Sequence, residues 1–139
     1  MIATELSDIL FGSPEPLRAR ANLGVLKEDQ VNIIVHGHVP VLSDAIATAS
    51  EDPQLIKLAK EKGAGGINLA GICCTALEVL IRKGVNVAGN FLQQELAIIT
   101  GAGDLMIVDL QCVMPSFPDI ASCFHTKIVS TNPRAQFPG

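Results

Sequence analysis

The chain has 139 residues, 48% of them apolar and 17% charged, with a formal net charge of −4 and a sequence pI of about 5.2. So much apolar material in a chain of single-domain size supplies a real core and excludes a disordered protein. The acidic balance argues against a phosphate-backbone binder, and a chain without Trp or Tyr is a poor candidate for a base-stacking surface.

No apolar run approaches the roughly 18 residues of a membrane span. The opening Met1 to Asp8 carries early acids and no basic region, so no signal peptide is expected, and a soluble, cytoplasmic location is. Four cysteines, Cys73, Cys74, Cys112 and Cys123, are too sparse for a disulfide scaffold and read as thiols.

Residues 1–30 contain Gly12, Pro14, Pro16 and Gly24 and read as a loop-rich lead-in that needs another surface to pack against. The domain proper is expected over 31–131. Val31-Asn-Ile-Ile-Val35 is a β-branched strand, ended by His36-Gly37-His38 and Pro40, after which Leu42, Ile46 and Ala49 recur at helical spacing. Asp52-Pro53 predicts a capped helix carrying Leu55, Ile56 and Ala59, closed by Gly63. A second strand, Gly66 to Ala70, leads through Gly71-Ile72 into Cys73-Cys74. Leu77, Leu80 and Ile81 then form a helical stripe, with Glu78 and Arg82 an outward i,i+4 pair.

Val85 to Ala88 predicts a third strand, Phe91 to Thr100 a helix, and Asp104 to Leu110 a fourth strand running into Gln111-Cys112. Gly101-Ala-Gly103 reads as a helix stop, because it follows a helix rather than preceding one. Ser116-Phe-Pro-Asp119 resembles a capping box, with Ile120, Cys123 and Phe124 on the buried side of its helix and His125 at the helix end. Thr126 to Ser130 is a fifth strand, and 132–139 a tail. Strands alternating with helices predict an α/β fold, a Rossmann-like open parallel sheet of about five strands with helices on both faces.

Such sheets bind ligands outside the carboxyl ends of their strands. Here those exits carry His36 and His38, then Cys73 and Cys74, then Asn90, then Cys112. Imidazole and thiol at three of the exits are soft and borderline metal donors, and helix N-termini close behind them would favour thiolate. The spacing suits a catalytic zinc site with an open position, or part of an iron–sulfur site. It leaves the choice between His36 and His38 open. No C-x-x-C occurs, which excludes a local zinc ribbon.

The stretches Val31-Asn-Ile-Ile-Val-His-Gly-His-Val-Pro40, Gly66-Ile-Asn-Leu-Ala-Gly-Ile-Cys-Cys-Thr75, Asn90-Phe-Leu-Gln-Gln-Glu-Leu-Ala97 and Val108-Asp-Leu-Gln-Cys112 resemble the catalytic subunit of anaerobic nickel–iron–sulfur carbon monoxide dehydrogenases. Ser7-Asp-Ile-Leu-Phe-Gly12 and Cys123-Phe-His-Thr-Lys127 fit the same pattern. The resemblance extends more distantly to hybrid-cluster proteins. It implies oxidation of CO with water to CO2, run reversibly, with two electrons passed to a ferredoxin-like acceptor. It also implies a nickel–iron–sulfur cluster with His38, Cys74 and Cys112 among its metal ligands, His38 on the pendant iron and Cys73 a neighbour.

By length the chain corresponds to the central α/β domain of such a subunit. The resemblance therefore implies further ligands elsewhere, in a missing remainder or a homodimer partner, and no activity for the chain alone. Two other readings remain. A stand-alone zinc hydrolase would need Glu95 or Asp109 as base or fourth ligand, and a non-catalytic assembly module would need only the apolar lead-in.

Overall fold

The computed structural model describes residues 1–137. The β-branched runs form five strands: β1 (Val31–His36), β2 (Ile67–Ile72), β3 (Asn86–Gly89), β4 (Leu105–Val108) and β5 (Lys127–Ser130). All pair in parallel, in the order β3-β2-β1-β4-β5. The chain winds outward from β1 through β2 and β3, then returns to lay β4 on the other side of β1. That return creates a topological switch point between β1 and β4. In register, His36 faces Ile72 on one side and Val108 on the other, so these three strands end level with one another.

Strand alternation sends side chains to two faces. Ile34, Ala70, Ile72, Met106 and Val108 pack with Ala97 and Ile98 of α5 (Gln94–Ile99) and Phe117 of α6 (Phe117–Ala121). On the opposite face Val35 packs with Ala47 of α2 (Pro40–Ser50) and with Leu80. Helices thus cover both faces, as a parallel sheet requires. Asp52 caps α3 (Pro53–Glu61) by accepting the Gln54 amide at 2.7 Å, with Pro53 in the first turn. Asn90 caps the 3-10 turn Phe91–Gln93, which precedes α5, so the helix expected over Phe91 to Thr100 is divided.

Several local expectations are corrected. Within the loop-rich lead-in, Ile2–Phe11 forms a helix (α1) with no buried residue, which the sequence reading did not expect. Further on, residues 20–22 lie along the outer edge of β3, with the Asn22 amide on the Val87 carbonyl at 3.0 Å and the Val87 amide on the Arg20 carbonyl at 2.9 Å. Edge strands need such cover. Arg82 does not pair with the Glu78 carboxylate, and only its Nε donates to the Glu78 backbone carbonyl, at 2.8 Å. Its guanidinium meets Asp8 of α1 at 2.9 Å, and the Glu78 carboxylate accepts the Ser7 hydroxyl at 2.9 Å. Docking of α1 redirects both charges.

Leu77 leaves the expected stripe and is 62% exposed, because α4 (Cys73–Glu78) gives way to a 3-10 turn over Leu80–Lys83 and the period changes. α6 ends at Ala121, so Cys123 and Phe124 lie beyond it and are exposed, whereas Phe117 is the fully buried ring. For the same reason His125 ends no helix. It meets Asp104 at 3.2 Å. Ser116 makes no cap, and its hydroxyl is given to Glu95.

The tail holds a 3-10 turn, Pro133–Ala135, and its last two residues, Pro138 and Gly139, lie outside the described residues. Among the described residues no helix is long and apolar enough to cross a membrane.

Phe117 should be the costliest single truncation in the face that backs the switch point. Phe117→Ala should lower unfolding free energy by about 3–5 kcal/mol, read as a shifted urea midpoint with an unchanged slope.

Candidate metal centre

β1 ends at His36, and the chain turns at Gly37, whose φ of 144° is open to glycine. Space demands glycine here as well, since a Cβ on Gly37 would sit 1.7 Å from Asp109 Oδ1. His38 follows, then Pro40 starts α2. β2 ends at Ile72 and passes directly into α4 at Cys73, a non-glycine residue at φ 64°. The Thr75 amide donates to the Gly37 carbonyl at 3.0 Å, tying the start of α4 to the β1 exit. β4 ends at Val108, and Asp109 leads to Gln111 and Cys112 at φ 58° and 47°. Left-handed backbone at three non-glycine residues, all at one sheet edge, is the kind of strain that gathers at functional sites.

His38 and Cys112 meet. His38 Nε2 lies 4.0 Å from Cys112 Sγ, and His38 Nδ1 is buried without a hydrogen-bond partner. Cys112 and Cys74 are exposed thiols. Cys74 leaves the adjacent strand at the same edge, but among the described residues no group of three or more His, Cys, Asp or Glu is gathered closely enough to hold an ion. His36 turns the other way. It is fully buried, with Nε2 2.9 Å from Gln94 Oε1 and 3.1 Å from the Cys112 carbonyl, and its ring stands edge-on to Phe117. Its Nδ1 makes no hydrogen bond, although the Ile72 backbone is a polar neighbour. Burial holds this imidazole below its ordinary range, against smaller opposing effects of Gln94 and the Cys112 and Ile72 backbone.

The helix-end argument for thiolate fails at Cys73. Burial, aided by the Cys112 and Cys74 thiols, pushes the Cys73 thiol up to about 11. Cys73 is a packing residue beside an apolar cavity of about 550 Å³, which Leu23, Leu77 and Val87 also line. Cys112 is followed by no adjacent helix either, since α6 begins five residues on.

Two residues matter here that sequence reasoning undervalued. Asp109, 2% exposed, accepts the His38 amide at 2.8 and 2.9 Å and the Val39 amide at 2.7 Å, and it also takes the Leu110 amide. Gln94 sits fully buried between His36 and the Met114 amide. The signal for Asp109 was its place one residue beyond a strand, opposite a glycine. Its carboxylate is committed to amides and that of Glu95 to Ser116, so neither serves as the free base a zinc hydrolase would need.

The chemistry of His38 and Cys112 fits a metal ion, although these two side chains do not complete a site. Imidazole and thiol are soft and borderline donors, and 4.0 Å is near the separation of about 3.6 Å that a shared tetrahedral ion imposes on nitrogen and sulfur. Fold and site together define an open parallel α/β domain with an imidazole and a thiol meeting at its switch point.

Residues 1–139 match the Prismane/CO dehydrogenase family. Carbon monoxide dehydrogenase 1 of Methanosarcina mazei is 61% identical over 139 residues, covering 100% of this chain and 22% of that protein. A Ni-free carbon monoxide dehydrogenase from Thermococcus sp. AM4 superposes with a TM-score of 0.94 at 59% identity, covering 100% of this chain and 22% of that one. An acetyl-CoA synthase/carbon monoxide dehydrogenase structure, described as having NiZn–Fe4S4 and NiNi–Fe4S4 clusters in its alpha subunits, gives 0.92 at 53% identity over 99% of this chain and 20% of its own. The chain belongs to the Prismane/CO dehydrogenase family. It spans 22% of the length of the Methanosarcina relative.

Burial separates the thiols into two classes. Native protein treated with iodoacetamide near neutral pH should be alkylated at Cys74, Cys112 and Cys123, with Cys73 reacting only after denaturation, as read by peptide mass spectrometry.

Proposed function

We propose that this chain is the α/β segment of a carbon monoxide dehydrogenase, in which His38, Cys74 and Cys112 supply part of the ligand set of a nickel–iron–sulfur cluster. The observation that carries this reading is the 4.0 Å approach of His38 Nε2 to Cys112 Sγ at the switch point, in a chain 61% identical to a carbon monoxide dehydrogenase. The level strand ends and the exposure of Cys74 at the neighbouring exit support the third ligand. When bound, the cluster supplies the redox chemistry by which CO and water become CO2, two protons and two electrons.

This chain's residues hold that centre rather than react. His38 offers an imidazole nitrogen, Cys74 and Cys112 offer sulfur, and buried Cys73 keeps its proton beside them. The electrons would leave to a ferredoxin-like acceptor. Three ligands do not complete such a cluster, so the remaining ligands would come from elsewhere in the subunit or from a homodimer partner. The chain by itself is expected to give no CO-dependent reduction of a viologen dye.

A chimera tests the reading. This chain replaces the matching segment of the Methanosarcina mazei relative, and CO-dependent viologen reduction is measured anaerobically. The chimera should retain activity, and His38→Ala, Cys74→Ser and Cys112→Ser should each abolish most of it, while Cys123→Ser should leave it unchanged. Full activity in all three ligand variants would refute the assignment.

A further inference from the structure

Beyond their last paired residues, His36 and Val108, β1 and β4 part into two loops, one carrying His38 and the other Cys112. Two buried side chains cross the gap in opposite directions. From the β4 side, Asp109 binds the His38 and Val39 amides of the β1 loop. From the β1 side, His36 binds the carbonyl of Cys112 itself. Gln94 fixes the sense of that second bond. Its amide nitrogen donates to the Phe91 carbonyl at 2.8 Å and its oxygen accepts the Met114 amide at 3.3 Å, so the oxygen faces His36. Both neighbours of His36 Nε2 are then acceptors, which assigns the proton to Nε2 and makes it the donor to Cys112.

We infer that Asp109 and His36 are positioning residues that together form a crossed brace, holding the His38 imidazole and the Cys112 thiol at metal-binding separation. This rests on the reading of His38 and Cys112 as ligands. Each ligand is fixed through its own backbone by the residue that ends, or follows, the other ligand's strand, so neither loop can shift without breaking one of these bonds. The brace also answers the strain at Gln111 and Cys112, because their left-handed backbone presents the Cys112 carbonyl to His36 while its thiol faces His38. Gly37 completes it, since any side chain there would displace the Asp109 carboxylate.

The test is an anaerobic Co2+ titration of the full chain in a Cys123→Ser background, following the thiolate-to-cobalt charge-transfer band. Cys112→Ser and His38→Ala should weaken binding and alter the band, which checks the ligand reading. Asp109→Asn, and His36→Phe, which keeps a ring but no donor, should each weaken Co2+ binding about 10- to 100-fold and change the band. His36→Gln, still able to donate to the Cys112 carbonyl, should restore most of the affinity. A merely structural role would lower the melting temperature in these variants and leave the cobalt spectrum of the folded fraction unchanged.

If the ligand variants lose cobalt while Asp109→Asn and His36→Phe bind it as before, the brace is overturned and the ligand reading stands. If His38→Ala and Cys112→Ser bind as before, the ligand reading falls and the brace falls with it as a metal-positioning device. Amide hydrogen exchange in the unsubstituted chain decides the case in which the variants do not fold. The His38 and Val39 amides should exchange at least about tenfold more slowly than the exposed loop amides of residues 13 and 15, and equal rates would overturn the brace.

Discussion

A carboxylate buried without a cation must find its hydrogen bonds inside the protein, and Asp109 finds them on backbone amides from two loops. The rest of the candidate centre depends on that constraint. The amides belong to the β1 exit and the carboxylate to the β4 exit, so satisfying the charge also joins the two sides of the switch point. Gly37 is where the loop passes closest, and the absence of a side chain there leaves the room. His36 completes the joint from the other direction, and Phe117 and Gln94 close the core behind it.

Burial then divides the sulfur chemistry. Cys73 and Cys74 are adjacent in sequence, yet one is 7% exposed with its thiol pushed up to about 11 while the other is an exposed thiol. A strand that ends directly in a helix turns its side chains by roughly 100° per residue, which is enough to put consecutive cysteines in different environments. The exposed member lies on the edge that also presents His38 and Cys112. Among the described residues no group of three or more His, Cys, Asp or Glu is gathered there, in a chain that covers 22% of its Methanosarcina relative. The exposed apolar side chains of α1, among them Ile2, Ile9 and Leu10, show that other surfaces of this domain also lack partners within the described residues.

Five strands, their order along the chain, the parallel class and the Asp52 cap were all legible in the sequence, because β-branched runs, helix periods and caps are local signals. The placing of imidazole and thiol at strand ends was legible too, since in a parallel sheet every exit lies at one edge. What the pattern left even was the choice between His36 and His38, which differ only by one glycine turn. Helix α1 escaped notice because its apolar residues face no core, and a helix without a buried stripe leaves little contrast to read. Cys123 and Phe124 were misplaced because a helix expected to run through them stops at Ala121.

The sequence by itself determined the class of fold and which residue types reach the carboxyl edge, through short-range periodicity and the parallel-sheet rule. Only the tertiary structure decided that Asp109 binds the His38 loop, that His36 binds Cys112, and that Cys73 is buried where Cys74 is not. Those outcomes rest on pairings such as residue 38 with 109 and 36 with 112, more than 70 positions apart along the chain. No local preference encodes a contact at that separation. It exists only once β4 has been laid beside β1.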